Sequence, residues 1–382
     1  MGGLDVWRGG TDAVASQYDR SAGRISSHFG PRRPRGVAYI LGRASTARAP
    51  SLTPVPLRMR LRAARVLAAV VAPLVACHSG PTGPGSATAT HPTGTAMSRR
   101  PDLAGRPFGI RVSIGGDVYV TQQDLNSVAR YRLDDPAPSQ AIVVGGDPGD
   151  VVFSRGGATA FVSNFYDGTV NVLDVAAGRS IKLLHVDPGN AYRLALSSDD
   201  SLLYVTSTSG RLYAVDVRGS TPTRSIQLGG ALQGIALQPD AGSVVVSNTA
   251  GLAWRLDART LDVLASRQVG AGAQDVAASP DGTRLFVAIE SGTIRVLDAT
   301  TLQTLESVVT TGLSPFGLAV TPDGAQLYVT SPTNGLVGVY DRAAGASIKL
   351  YPVGGVPRRI AFDASGATAL ISNEGNWVDV IR

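Results

Sequence analysis

A four-residue slot recurs seven times in this chain, and its spacing sets the fold. The copies are YVTQ at 119–122, FVSN at 161–164, YVTS at 204–207, VVSN at 245–248, FVAI at 286–289, YVTS at 328–331 and LISN at 370–373. Their first positions are separated by 42, 43, 41, 41, 42 and 42 residues. A period this constant is the mark of a repeat architecture, in which each unit buries its apolar face against its neighbours.

Each unit has the same internal order. An apolar strand such as GIALQ or GLAVT comes first, and a turn such as SPDG at 279–282 or TPDG at 321–324 follows. Proline at the second turn position and glycine at the fourth suit a type I turn. The slot itself is the second strand. A third strand alternates and ends in aspartate (TVNVLD, RLYAVD, TIRVLD, LVGVYD), and a variable fourth strand closes the unit. Four short strands in about 42 residues is the size of one propeller blade. The expectation is an all-β, seven-bladed β-propeller of four-stranded blades over residues 107–382. The last copy stops at WVDVIR with three strands. Because an unpaired edge invites aggregation, a segment just before Phe108 is expected to supply the missing outer strand.

The YVTN-like second strand, the SPDG-type turn and the VLD third strand resemble the bacterial YVTN-type propellers, over the whole of 107–382. The third strand carries no Trp-Asp dipeptide, so a WD40 propeller fits less well.

Upstream of the repeats the chain changes character. Residues 1–106 carry 15 arginines and 4 aspartates, a net +11. Residues 107–382 carry 18 arginines and 2 lysines against 22 aspartates and 3 glutamates, a net −5. The basic charge therefore lies outside the repeats, and nucleic acid is not an expected partner. Residues 1–58 show no sustained period and are expected to be disordered or to lie upstream of the true start. From Met59 the chain runs MRLRAARVLAAVVAPLVAC. Arg60, Arg62 and Arg65 form a basic stretch, and Val66 to Ala76 an 11-residue apolar run, too short to span a bilayer. LVAC at 74–77 holds the sole cysteine, and it resembles a bacterial lipobox. The resemblance implies a lipoprotein-type signal over 59–76, lipid on Cys77, and a membrane-anchored location in the cell envelope. Residues 77–106, rich in Gly, Pro, Ser and Thr, then read as a flexible tether.

No catalytic set is legible in the repeats. Their single histidine, His185, falls in a fourth strand far from the axis, so no Ser-His-Asp arrangement is expected. Asp174, Asp216, Asp257, Asp298 and Asp341 recur once per blade and are expected to accept backbone N–H groups of their own turns. No metal-ligand cluster and no cofactor site are read. The informative positions lie where each first strand begins, at the channel mouth of a propeller. One ring holds Phe108, Gly149, Tyr192, Gln233, Gln274, Phe316 and Arg358, and the next holds Gly109, Asp150, Arg193, Gly234, Asp275, Gly317 and Arg359. Structural positions in a repeat tend to stay alike, and these differ. Phe108, Asp150, Tyr192, Arg193, Gln233, Gln274, Asp275, Phe316, Arg358 and Arg359 are therefore candidate ligand-binding residues. The same composition also fits a channel whose Asp and Arg pair with each other, and both readings stand at this point.

The expected activity is binding of a protein, peptide, glycan or small ligand on one face of a monomer. The alternative is a metal-dependent hydrolase of the gluconolactonase type, using Asn164, Asn248, Asn373, Glu290 and Glu374. Propeller lyases of the virginiamycin type use histidines and a glutamate that this chain lacks.

Overall fold

The computed structural model describes residues 91–382 apart from 95, 101–102 and 136–139. Cys77, the 59–76 signal, the 1–58 segment and most of the tether lie outside the described residues.

The described residues form seven four-stranded antiparallel sheets, each strand pairing with the next in sequence in all but one sheet. The first strands are Pro107–Val112, Pro148–Phe153, Ala191–Leu196, Leu232–Leu237, Ala273–Ala278, Leu318–Val320 and Pro357–Phe362. Each of them packs against the first strand of the blade before and the blade after, and the last packs against the first. This closed ring surrounds a central channel, as the 42-residue period predicts.

The recurring aromatic in the slot explains the blade packing. Tyr119, Tyr204 and Tyr328 are fully buried. Tyr119 meets Phe153 of the next blade edge-on at 4.9 Å, and Tyr328 meets Phe362 at 5.3 Å. The Tyr204 hydroxyl reaches a later blade, donating to the Ala258 carbonyl at 2.6 Å. Between blades the core is aliphatic. Val152, Val170, Leu184 and Val172 of the second blade, for example, pack with Leu194, Leu203 and Val205 of the third.

The exception in strand order is the closure. The last sheet runs Met97–Arg100, Trp377–Ile381, Ala369–Asn373, Pro357–Phe362, so an N-terminal strand fills its outer edge. Met97 pairs with Ile381 and Arg100 with Val378. Arg99 fixes the strand further: its guanidinium lies 3.9 Å over the Trp377 ring and bonds the fully buried Asp379 at 3.2 Å. The propeller thus includes residues before the expected boundary at 107. Met97–Arg100 and the buried Leu103 belong to the propeller and not to the tether.

The third-strand aspartates act as expected. Oδ1 of Asp174, Asp216, Asp257, Asp298 and Asp341 accepts backbone N–H groups of Ala177, Arg218, Arg259, Thr300 and Ala344 at 2.8–3.1 Å. The Thr260 N–H and then that of Arg259 hold the Asp257 carboxyl below its ordinary range. His185 ends the outer strand Arg179–His185 and is exposed.

Candidate functional site

The channel mouth is shaped by a bulge at the start of the first strand. The register shifts between Pro107 and Ile110, Pro148 and Asp150, Ala191 and Leu194, Leu232 and Ile235, Ala273 and Val276, and Pro357 and Ile360. A bulge leaves one amide outside the ladder. The third residue of the slot receives it. Gly109 donates to Thr121 Oγ1 at 2.7 Å, Asp150 to Ser163 Oγ at 3.0 Å, Arg193 to Thr206 Oγ1 at 3.0 Å, Gly317 to Thr330 Oγ1 at 2.8 Å and Arg359 to Ser372 Oγ at 3.0 Å. Several of these hydroxyls donate in turn to the next blade, Ser163 to the Tyr192 carbonyl at 2.6 Å and Thr330 to the Arg358 carbonyl at 2.8 Å. The recurring Ser or Thr is therefore a clamp between blades. The fifth blade carries Ala288 in that slot and lacks the clamp.

The bulge also breaks strand alternation, so consecutive residues reach the same cluster. Arg358 and Arg359 both stack on Phe316, with guanidinium carbons 4.9 and 4.7 Å from the ring centre.

The inner ring is a buried ion layer. Asp150, Arg193, Asp275 and Arg359 are 1, 7, 2 and 3% exposed. Arg193 lies 3.2 Å from Asp150 and 3.4 Å from Asp275, and Arg359 lies 2.8 Å from Asp275 and 3.1 Å from the Tyr192 hydroxyl. The carboxylates are saturated from both sides. Asp150 also accepts the amides of Val151 and Leu194, and Asp275 those of Val276 and Leu318. Each aspartate thereby ties its own first strand to that of the following blade. Burial pushes the Asp275 carboxyl up, but Arg193 and Arg359 outweigh it and hold the group below its ordinary range. Burial works against the Arg193 charge, yet Asp150 and Asp275 raise its pKa overall. The remaining ring positions are glycines for want of room. A Cβ on Gly317 would sit 2.1 Å from the Arg358 carbonyl oxygen, and one on Gly234 2.6 Å from the Val276 nitrogen.

The outer ring is half open. Phe108 and Tyr192 are buried with ring centres 6.1 Å apart, and Phe316 meets Phe108 edge-on at 6.3 Å. Phe316, Arg358, Gln233 and Gln274 are part-exposed around them. Arg358 spreads over Phe108 and Phe316 and pairs with Glu374 at 2.7 Å, while Gln274 bonds Glu290 at 3.2 Å. The structure thus brings eight of the ten candidate residues into one contacting cluster, and sets Gln233 and Gln274 at the same mouth level by repeat position.

The asparagines of the hydrolase alternative are engaged elsewhere. Asn164 bonds Thr169 and Asn171, Asn248 bonds the Gly229 carbonyl and the Leu252 amide, and Asn373 bonds the Val356 and Gly375 amides. They fix turns and the connections that lead in from the preceding blade.

One channel residue escapes the two rings. Behind the ion layer, toward the other face, the channel widens into a cavity of about 530 Å³. Arg111 lines it at the repeat position held by Val152, Ala195, Ala236, Ala277, Ala319 and Ala361 in the other blades. That lone cation in a column of small aliphatic residues is a signal present in the sequence and found only by aligning this third level of the first strands.

No protein-family model matches the chain, and no curated protein does. Among solved structures, a chain of Kuenenia stuttgartiensis hydrazine synthase aligns with a TM-score of 0.63 at 19% identity, covering 74% of this chain and 96% of that one. At that identity the likeness establishes the seven-bladed propeller as a shared fold.

Proposed function

We propose that this chain is a YVTN-type propeller acting as a non-enzymatic binding module, held in the cell envelope by lipid on Cys77. Its ligand, a protein, peptide, glycan or small molecule, docks at the mouth built from Phe108, Tyr192, Gln233, Gln274, Phe316 and Arg358. One observation carries this reading. Positions equivalent by repeat, which the fold alone would leave alike, here hold a contacting cluster of aromatic and cationic side chains at one rim. Aromatic faces with a few oriented polar groups in a concavity are the ordinary makeup of a binding site. The neighbouring ion layer stiffens the ring beneath, so the mouth is preorganised.

A thermal-shift screen of the full chain against peptides, glycans and small organic ligands tests the reading, because binding to the native state raises Tm. At least one class should raise Tm, and Phe316→Ala and Arg358→Ala should remove the shift. A shift unchanged in both variants would place the ligand elsewhere. For the anchor, Cys77→Ser should move the protein from the membrane fraction to the soluble one, and unchanged partitioning would contradict it.

A further inference from the structure

The channel holds more positive charge than its carboxylates neutralise. Three guanidinium groups, Arg111, Arg193 and Arg359, line the cavity behind the ion layer. Two carboxylates, Asp150 and Asp275, serve them, and every carboxylate oxygen already takes a backbone amide besides any arginine contact. The ion pairs formed are with Arg193 and Arg359. Among the described residues no carboxylate lies within 4 Å of Arg111, whose one hydrogen bond runs from Nε to the Val151 carbonyl at 3.3 Å. Both of its terminal nitrogens are thus uncommitted within the chain.

Two further donors of the same arginine cluster are unsatisfied. Nε of Arg193 and Nε of Arg359 are buried and carry no hydrogen bond, although both side chains are more than nine-tenths buried. Unsatisfied donors in a buried site normally have a partner that completes them. Burial lowers the Arg111 pKa despite attraction from Asp150, and the neighbouring Arg193 and Arg359 lower it further. Asp275 adds a second attraction, and the side chain stays part-exposed to the cavity, so its free nitrogens face the cavity space.

Besides the guanidinium groups the wall carries Asp275, Ser279 and main-chain polar groups, with one aliphatic belt among them. Val152, Ala195, Ala236, Ala277, Ala319 and Ala361 form a belt level with Arg111, and the exposed Pro239 and Pro280 stand at the rim on the face opposite the mouth. The cavity is thus open to small solutes and large enough for several heavy atoms. A cationic fork set in an aliphatic belt matches a ligand with a charged oxygen pair and a short hydrocarbon body.

We propose that this cavity is a second binding site, separate from the mouth, which takes a short-chain organic carboxylate with its two oxygens on Arg111 and its chain against the alanine belt. The site is reached from the face opposite the mouth, and the ion layer divides the two. This goes beyond the mouth reading and does not depend on it.

Calorimetric titration of the full chain at constant ionic strength tests the proposal, with valerate, inorganic phosphate, chloride and pentylamine as probes. Valerate should bind saturably, and pentylamine and chloride should not. Arg111→Ala, which installs the residue most other blades carry, should weaken valerate binding roughly tenfold to a hundredfold, the usual scale for losing a charge-assisted pair. Arg111→Lys should retain part of it. Because Arg111 forms no ion pair within 4 Å, the alanine variant should keep the Tm of the parent without ligand. Absence of valerate binding overturns the proposal, as does equal binding by Arg111→Ala. Phosphate binding more tightly than valerate overturns the assignment of an organic carboxylate.

Discussion

Two rings one residue apart in each first strand have opposite characters. Asp150, Arg193, Asp275 and Arg359 are buried and bonded to one another, to the backbone and, through Arg359, to the Tyr192 hydroxyl. Phe108, Tyr192, Phe316 and Arg358 form a half-open rim whose one ion pair, Arg358 with Glu374, retains 23 and 16% side-chain exposure. Both rings vary from blade to blade in the same way. Variation at equivalent positions therefore has two sources. One is a structural network that needs different members at different points of a closed ring. The other is a surface facing a ligand. Burial parts the charged groups of the two rings: the inner arginines and aspartates are buried, whereas the rim pair Arg358 and Glu374 is part-exposed, so the inner ions are expected to contribute more to stability.

The largest effect should come from opening the inner ring. Asp275→Ala leaves Arg193 with a single carboxylate and Arg359 with none, and it strands the Leu318 amide. Breaking a buried pair in this way costs about 3–5 kcal/mol. Urea unfolding should show it as a lower midpoint, and a loss below about 1 kcal/mol would mean the layer is not structural. The same group sets an acid limit. Asp275 has a folded pKa below its unfolded value of about 3.9. Its stabilisation is therefore fully present above that unfolded value and is lost as pH falls through the folded one. Melting measured from pH 7 downward should hold this contribution until about pH 4, and Asp275→Asn should flatten the later decline. A decline equally steep in the variant would assign acid sensitivity elsewhere.

A middle effect belongs to the clamp. Thr330→Ala strands the buried Gly317 amide and frees the Arg358 carbonyl, which should cost about 1–3 kcal/mol. The fifth blade, with Ala288, already lives without this bond, so the clamp is additive and not essential. Total loss of folding in Thr330→Ala would contradict that. The smallest effect belongs to the rim. Arg358→Ala should cost about 0–1 kcal/mol, because a part-exposed pair gains little in water.

What the sequence reveals and conceals follows the same division. Local features are legible. The 42-residue period gives seven blades, the VLD aspartates sit on their own turns, and the three-strand last copy implies the closure that Met97–Arg100 supplies. Contacts across the channel are not legible. Arg193 meets Asp275 82 positions away, and Arg359 meets Tyr192 at 167. A repeat alignment says that these residues occupy equivalent places, yet equivalence around a ring does not say which members touch across it. It also cannot say that Arg193 is sealed while Arg358, at the preceding repeat position of another blade, is open. The boundary at 107 missed Met97–Arg100 because a closing strand pairs with the far end of the chain and shares no period with its own neighbours.

Double-mutant cycles on the two arginine–carboxylate pairs test the central division most directly. Urea unfolding of Arg193→Ala, Asp275→Ala and their combination gives the coupling of the inner pair, and Arg358→Ala with Glu374→Ala gives that of the rim. The inner coupling should be about 2–3 kcal/mol and the rim coupling about 0.5 kcal/mol or less. Equal couplings, or a larger one at the rim, would contradict the assignment of stability to the inner ring.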